Sequence, residues 1–275
     1  MTRIDRRALF TSGAAAALLA ASGLAPDRRP RSGGRLRVAL ARDGNSLERF
    51  AHGAIFETLT EVAPDGVLKG ELATGWHGSS DARIWTLSLR QDAVFHDGSV
   101  LEAGDVLASL EGFADTRKAT VIATGAAEIR IELAESDAHL PYQLADPSLV
   151  IARGGVSDGG NGTGLYHSAR LQADRHFLGQ RVTRHWKDGQ AGWVESVDAI
   201  VISDPAVRAE ALRDGFVDVA ELPEISGLAG RTDFVFHPSA ENAALAARGS
   251  VGVPARVGTR FGLDDGRLAQ RWWVA

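Results

Sequence analysis

Residues 56–113 read FETLTEVAPDGVLKGELATGWHGSSDARIWTLSLRQDAVFHDGSVLEAGDVLASLEGF, and the order of elements in this stretch decides the fold. A short apolar strand leads into the turn Pro64-Asp65-Gly66, followed by a tryptophan-bearing loop, a second turn, a strongly alternating strand and a closing helix. In Ile84 to Leu89, the set Ile84, Thr86 and Ser88 alternates with Trp85, Leu87 and Leu89, so one face of this strand must be buried. The closing helix is expected through Val106, Leu107 and Leu110. Glu102 is a poor N-cap, and Gly104 costs about 1 kcal/mol relative to alanine inside a helix, so its start is expected to fray. His96 beside Asp97 invites a metal or catalytic reading, but no helical His-x-x-x-His pair accompanies it, and Asp97-Gly98 is itself a turn signal.

In sequence come an apolar segment, Pro-Asp-Gly, Leu72-Ala73-x-x-Trp76, Trp85-Thr86-x-x-Leu89-Arg90, Phe95-His96-Asp97-Gly98 and Asp105-Val106-x-x-Ser109-Leu110. This order resembles extracellular solute-binding protein family 5, the substrate-binding proteins of bacterial ABC transporters for peptides and nickel. The resemblance implies a periplasmic-binding-protein-like fold of type II, α/β (mixed α+β), with Leu72, Ala73 and Trp76 holding a loop to the core and Phe95 to Gly98 launching the helix. Further matches are Gly162-Thr163-Gly164-Leu165-Tyr166, with leucine where the family has proline, Arg184-His185-Trp186, and Gly215 to Ala220. The resemblance runs, with gaps, from about Leu36 to Leu222.

Upstream, Arg6-Arg7 precedes the apolar run GAAAALLAASGL, Gly13 to Leu24, which reads as a twin-arginine export signal over residues 1–23. The run falls short of the roughly 20 residues that a membrane span needs. Residues 24–34 are a flexible basic tether. The first 34 residues carry six arginines and two aspartates, so without them the formal charge moves from −5 to −9. An acidic chain lacking a basic stripe argues against nucleic-acid binding. With no cysteine, disulfide and thiolate chemistry is excluded.

Leu36 to Leu40, LRVAL, suits a buried strand, and a helix is expected to follow through Leu47, Phe50 and Ala54 with Ser46 as its cap. The resemblance places the intervening loop on the ligand cleft, which makes Gly44, Asn45 and Ser46 the candidate ligand-binding residues; an ordinary turn and cap is the alternative for each. Further along, ATVIATG and AEIRIEL are expected to pair as a hairpin at Gly125-Ala126, and Leu149 to Ala152 is expected to form a strand. The glycine loop 154–164 has no Gly-Lys-Ser/Thr and precedes a strand, so it reads as a connector rather than a phosphate loop. A second hairpin is expected around Ala173-Asp174-Arg175, and Trp186 reads as a packing residue rather than a ligand platform. Asp204 as N-cap, Pro205 in the first turn and Gly215 at the stop specify a helix whose buried face is expected to carry Val207, Ala211 and Leu212.

Residues 35–222 are therefore expected to form a first solute-binding lobe with a mixed sheet. Of the 275 residues only 53 follow Leu222; residues 223–275 read as a truncated remnant of the second lobe and a carboxyl-terminal return segment, too short for a whole lobe. The resemblance implies a periplasmic solute-binding component that meets an inner-membrane ABC permease, is peripheral to the membrane at most, takes peptides by default and carries no cofactor or structural metal. Two alternatives stand beside it, a single-lobe interaction module and a non-functional truncated paralogue. An enzyme is the least favoured class, since the chain shows no nucleophile–base pair, metal cluster or phosphate loop, and no catalytic residue is assigned.

Overall fold

A computed structural model describes residues 32–62, 67–225, 227–237 and 245–249. The expected export signal with Arg6 and Arg7, the Pro64-Asp65-Gly66 turn and the segment after residue 249 lie outside the described residues. Two sheets dominate, joined by a two-stranded ribbon of β2 (Thr60–Val62) and β3 (Leu68–Gly70).

The main sheet has seven strands. At its centre lies β1 (Arg35–Leu40), parallel to β10 (Ser196–Val201) on one side and to β11 (Val219–Glu221) on the other. The hairpin of β8 (Tyr166–Gln172) and β9 (His176–Arg181) extends it beyond β10, with Asp174 at a φ of 58° in the turn. On the other side, β13 (Leu245–Arg248) pairs with β11 and β12 (Phe234–His237) with β13, both antiparallel, so the sheet runs across the boundary expected at residue 222.

Being central, β1 is buried on both faces at Leu36, Val38, Ala39 and Leu40, which is why it reads as a compact apolar run, broken only by Arg37, whose guanidinium pairs with Asp218. Leu36, Val38 and Leu40 join Phe50, Phe177 and Val197 in one core, under α1 (Ser46–Ile55). Ala39 faces the other way, where Leu212, Ala220, Leu222 and Phe234 pack with α5 (Pro205–Arg213). Asp204 caps α5 by accepting the Ala206 N–H at 2.8 Å, as expected. Its buried face differs from expectation: Val207 is exposed and Arg208 is buried, because the Arg208 guanidinium finds carbonyl acceptors at the strand ends.

The second sheet is antiparallel in the order β4 (Ala73–Gly78), β5 (Ile84–Leu89), β7 (Glu128–Glu132), β6 (Thr120–Gly125). Both expected alternations hold, with Leu87, Leu89, Ile129 and Ile131 buried while Ile84 stays exposed. The closing helix is two short pieces, α2 (Ala103–Ser109) and α3 (Glu111–Arg117). Its start is fastened rather than frayed, because Asp105 accepts from the Glu102 N–H at 3.0 Å and from Arg153 and the Gly154 N–H at 2.9 and 2.8 Å. After α4 (Leu140–Gln143), the strand expected at Leu149 to Ala152 is a single bridge between Ile151 and Glu57. Ser109 takes up the Ala152 N–H at 3.0 Å, and Gly154, at a φ of 60°, turns the chain away before a ladder can form.

Candidate functional site

The three parallel strands β1, β10 and β11 end on the same side of the main sheet, the place where open α/β sheets offer a crevice to ligands. Two side chains bind these ends to one another. Arg208 donates from Nε to the Glu221 carbonyl at 2.6 Å and from Nη1 to the Ile202 and Ser203 carbonyls at 2.5 and 3.1 Å. Burial lowers the Arg208 pKa, opposed by the charges of Glu221 and Asp204. Glu221, the last residue of β11, accepts the Ala41 N–H at 2.9 Å and stands 3.2 Å from the Ser46 hydroxyl. The loop leaving β1 is thus held at both its ends by one carboxylate.

Within that loop Ser46 is the first helical residue rather than the expected cap, and Asp43 binds the entry to the helix. Its Oδ1 accepts from the Asn45 and Ser46 amides at 2.9 and 2.6 Å, and its Oδ2 takes the Ser46 hydroxyl at 2.7 Å. Burial opposes ionisation of Asp43, but these hydrogen bonds and the nearby Arg49 outweigh it and bring its pKa down to about 2. The Asn45 and Ser46 amides at the amino end of α1 are therefore already met by an anion.

Beside the loop lies a cavity of about 300 Å³ between α1, the glycine loop and the β8–β9 turn. Leu47, Ala51, Ile55, Leu171 and Val201 supply apolar lining, and Arg42, Asp43, Glu48, Asp158 and Asp174 supply charge. Of the three residues expected to contact ligand, Gly44 and Asn45 line this cavity. Gly44 has a φ of 81° with open space around its Cα, so the backbone is presented without a side chain. Ser46 is buried, and its hydroxyl faces Asp43 and Glu221 as one of the loop's internal anchors.

A second polar assembly, invisible in the sequence, fastens the two sheets together through three consecutive residues. Lys187 N–H donates to His185 Nδ1 at 3.0 Å, so the other ring nitrogen carries the proton and donates to the Thr163 carbonyl at 2.9 Å. Trp186 Nε1 lies 3.1 Å from both oxygens of the buried Glu57 carboxylate, with Arg90 stacked 3.7 Å over its ring. Lys187 Nζ reaches Glu61 at 2.6 Å and Glu71 at 3.1 Å, and Glu71 also accepts the Thr58 N–H and hydroxyl at 2.7 and 2.8 Å. Trp186 also packs on the core of the second sheet, as its packing reading requires. Gly162 and Gly164 make the close approach possible: a Cβ on either would stand 2.1 or 2.4 Å from the Ile55 or Ala54 carbonyl oxygen.

His167, His176 and His185 recur every nine residues in the sequence but do not converge on one site. His176 meets Asp198 at 2.7 Å, His185 meets Thr163, and His167 lies edge-on to His96 at 6.2 Å. Burial lowers the His96 pKa, while the hydrogen bond of its Nε2 to the Gly164 carbonyl opposes that shift. Among the described residues no group of three or more His, Asp or Glu could hold a metal ion.

The model of the family described as "Bacterial extracellular solute-binding proteins, family 5 Middle" matches residues 67–234, more than half of the chain. The chain belongs to this family. The family 5 chain is 25% identical over 197 residues to the nickel-binding periplasmic protein of Escherichia coli (strain K12), covering 62% of this chain and 36% of that protein. Among solved structures, the periplasmic binding protein AgaA of A. tumefaciens R10, in complex with agropinic acid, superposes with a TM-score of 0.62 at 25% identity, covering 69% of this chain and 44% of the other. The ABC transporter-associated periplasmic binding protein DppA of Helicobacter pylori, in complex with the peptide STSA, gives a TM-score of 0.64 at 22% identity, covering 74% and 50%. The fold is that of the type II periplasmic binding proteins, and the family 5 chain spans 36–50% of the length of these relatives.

Proposed function

We propose that this family 5 chain is an extracytoplasmic solute-binding component of an ABC importer, working in the periplasm with an inner-membrane permease, and that peptides are its solute class. The observation that carries this reading is the cavity at the carboxyl ends of the parallel strands, onto which a rigidly anchored loop presents Gly44 and Asn45. Its size matches the lower range of small-ligand sites, about 300 Å³ and upward. An apolar floor with a few polar groups at the edge suits a peptide side chain next to a backbone. The relatives support solute capture as the common task, although their solutes differ: nickel in one, agropinic acid in a second and a tetrapeptide in a third.

A thermal melt of the full chain tests the proposal, alone and with di- to pentapeptides, nickel chelates, opines and oligosaccharides. A ligand that binds only the folded state stabilises it by about 2.7 kcal/mol at one hundred times its Kd. Peptides are expected to raise the melting temperature and the other classes to leave it unchanged. A cooperative melt that no solute moves would remove solute capture by this chain and favour a protein-interaction module. Export is tested separately: replacing Arg6 and Arg7 by lysine is expected to leave the protein in the cytoplasm.

A further inference from the structure

The cavity beside the β1–α1 loop has an uneven charge. Asp43 is neutralised by the amino end of α1 and by Arg49 at 3.5 Å. Arg42 bonds Ser203 at 2.9 Å through its Nε. Glu48 has His52 at 4.0 Å. Asp158 and Asp174 are exposed, and neither has a cationic partner among the described residues. Three carboxylates, Glu48, Asp158 and Asp174, thus stand against one guanidinium around a floor of Leu47, Ile55 and Leu171. Asp43 already occupies the Asn45 and Ser46 amides at the helix's positive end, which weakens that end as an anion site.

We propose that this cavity receives an alkylammonium side chain, the lysine side chain of a peptide solute, with its methylene stem on the apolar floor and its ammonium at the carboxylates of Asp158 and Asp174. A lysine stem buries readily along apolar surface while its charged head stays in water, and Asp158 and Asp174 are exposed members of the same cavity lining as Leu47, Ile55 and Leu171. The exposed edge makes the contribution sensitive to salt. This inference rests on the peptide reading of the same site, and it names the side chain that the site prefers.

Calorimetric titration of the full chain with Ala-Lys-Ala, Ala-norleucine-Ala and Ala-Glu-Ala tests it, with butylamine as a separate arm. The lysine peptide is expected to bind about ten-fold more tightly than its norleucine analogue at 20 mM salt, a preference worth about 1.4 kcal/mol, and to lose most of that margin at 500 mM. The glutamate peptide is expected to bind more weakly than either. The double variant Asp158→Asn, Asp174→Asn keeps the side-chain shape, and asparagine tolerates the positive φ of residue 174. It should abolish the lysine preference while still binding the norleucine peptide. Equal binding of the lysine and norleucine peptides, or a preference that survives the double variant, would overturn the inference and leave the peptide reading standing. Binding of butylamine with no peptide binding would overturn both, as would failure of every ligand to bind.

Discussion

The two sheets are built on opposite principles. In the four-stranded sheet β4 to β7 are consecutive in the chain and every pairing is antiparallel: β4–β5 and β6–β7 are joined by short turns, and only β5 and β7 pair across an intervening segment, which carries α2, α3 and β6. In the seven-stranded sheet the central strand is flanked by partners from far along the chain, with Arg35 and Asp198 pairing across 163 residues and Arg37 and Asp218 across 181. The local sheet is held by one apolar face, whereas the long-range sheet adds charged clasps at both ends of β1. Between them stands the buried assembly of Glu57, Glu71, His185, Trp186 and Lys187. The cavity belongs to the long-range sheet, so binding is placed where the chain is assembled from distant parts.

The largest effect should come from cutting the join. Glu71→Ala strips Lys187 and the Thr58 N–H of a buried acceptor, and breaking a buried pair in this way costs about 3–5 kcal/mol. Urea denaturation should show that loss, and hydrogen exchange should show β5 and β7 opening at lower free energy than β1 and β10. Equal opening of both sheets would mean that Glu71 is not what couples them.

Next in size is the local sheet's own core. Ile131 is fully buried in the core that also holds Ile129, Leu87 and Val106, and Ile131→Ala should cost about 2–5 kcal/mol. Combined with Glu71→Ala, its penalty should be confined to the exchange of β5 and β7 amides. A penalty shared equally with β1 would show that apolar contacts alone join the sheets.

At the site, Glu221→Ala leaves the Ala41 N–H without its carboxylate acceptor. A loss of about 1–3 kcal/mol is expected, together with weaker solute binding and faster exchange at residues 41–46. A variant that loses stability but binds as before would detach the anchored loop from recognition. The smallest effect is electrostatic. Asp43, with its folded pKa lowered to about 2, stabilises the fold fully above its ordinary carboxylate range near pH 4, and that contribution disappears as pH falls toward 2. Asp43→Asn should lower stability at pH 7 by about 1 kcal/mol and flatten that acid window in a series of melts at different pH.

Legibility in the sequence follows the same division. Both hairpins, the alternating strand, the α5 cap and the turn at Phe95 to Gly98 are local, and the structure contains each of them. Gly44 and Asn45 were legible as a loop after an apolar strand and do line the cavity. The cap expected of Ser46 does not form, because Ser46 is the first helical residue and its own amide and hydroxyl are bound by the charged Asp43. The burial of Arg208 is legible only in its spacing, four residues before the buried Leu212, which puts both on one helix face. Glu57 and Glu71 gave no local signal, since a charged residue in an apolar stretch looks like a solvated one until its partner is known.

By itself the sequence determined the alternation of the second sheet's strands, the α5 cap and the two hairpin turns, and through its ordered motifs the family. Those properties depend on residues a few positions apart, whose geometry the backbone dictates. Only the tertiary structure decided which polar groups are buried and what they hold: Glu71 with Lys187 across 116 residues and Glu221 with Ala41 across 180. A buried carboxylate is stable only beside donors delivered by distant strands, and residue periodicity carries no record of which strand will deliver them.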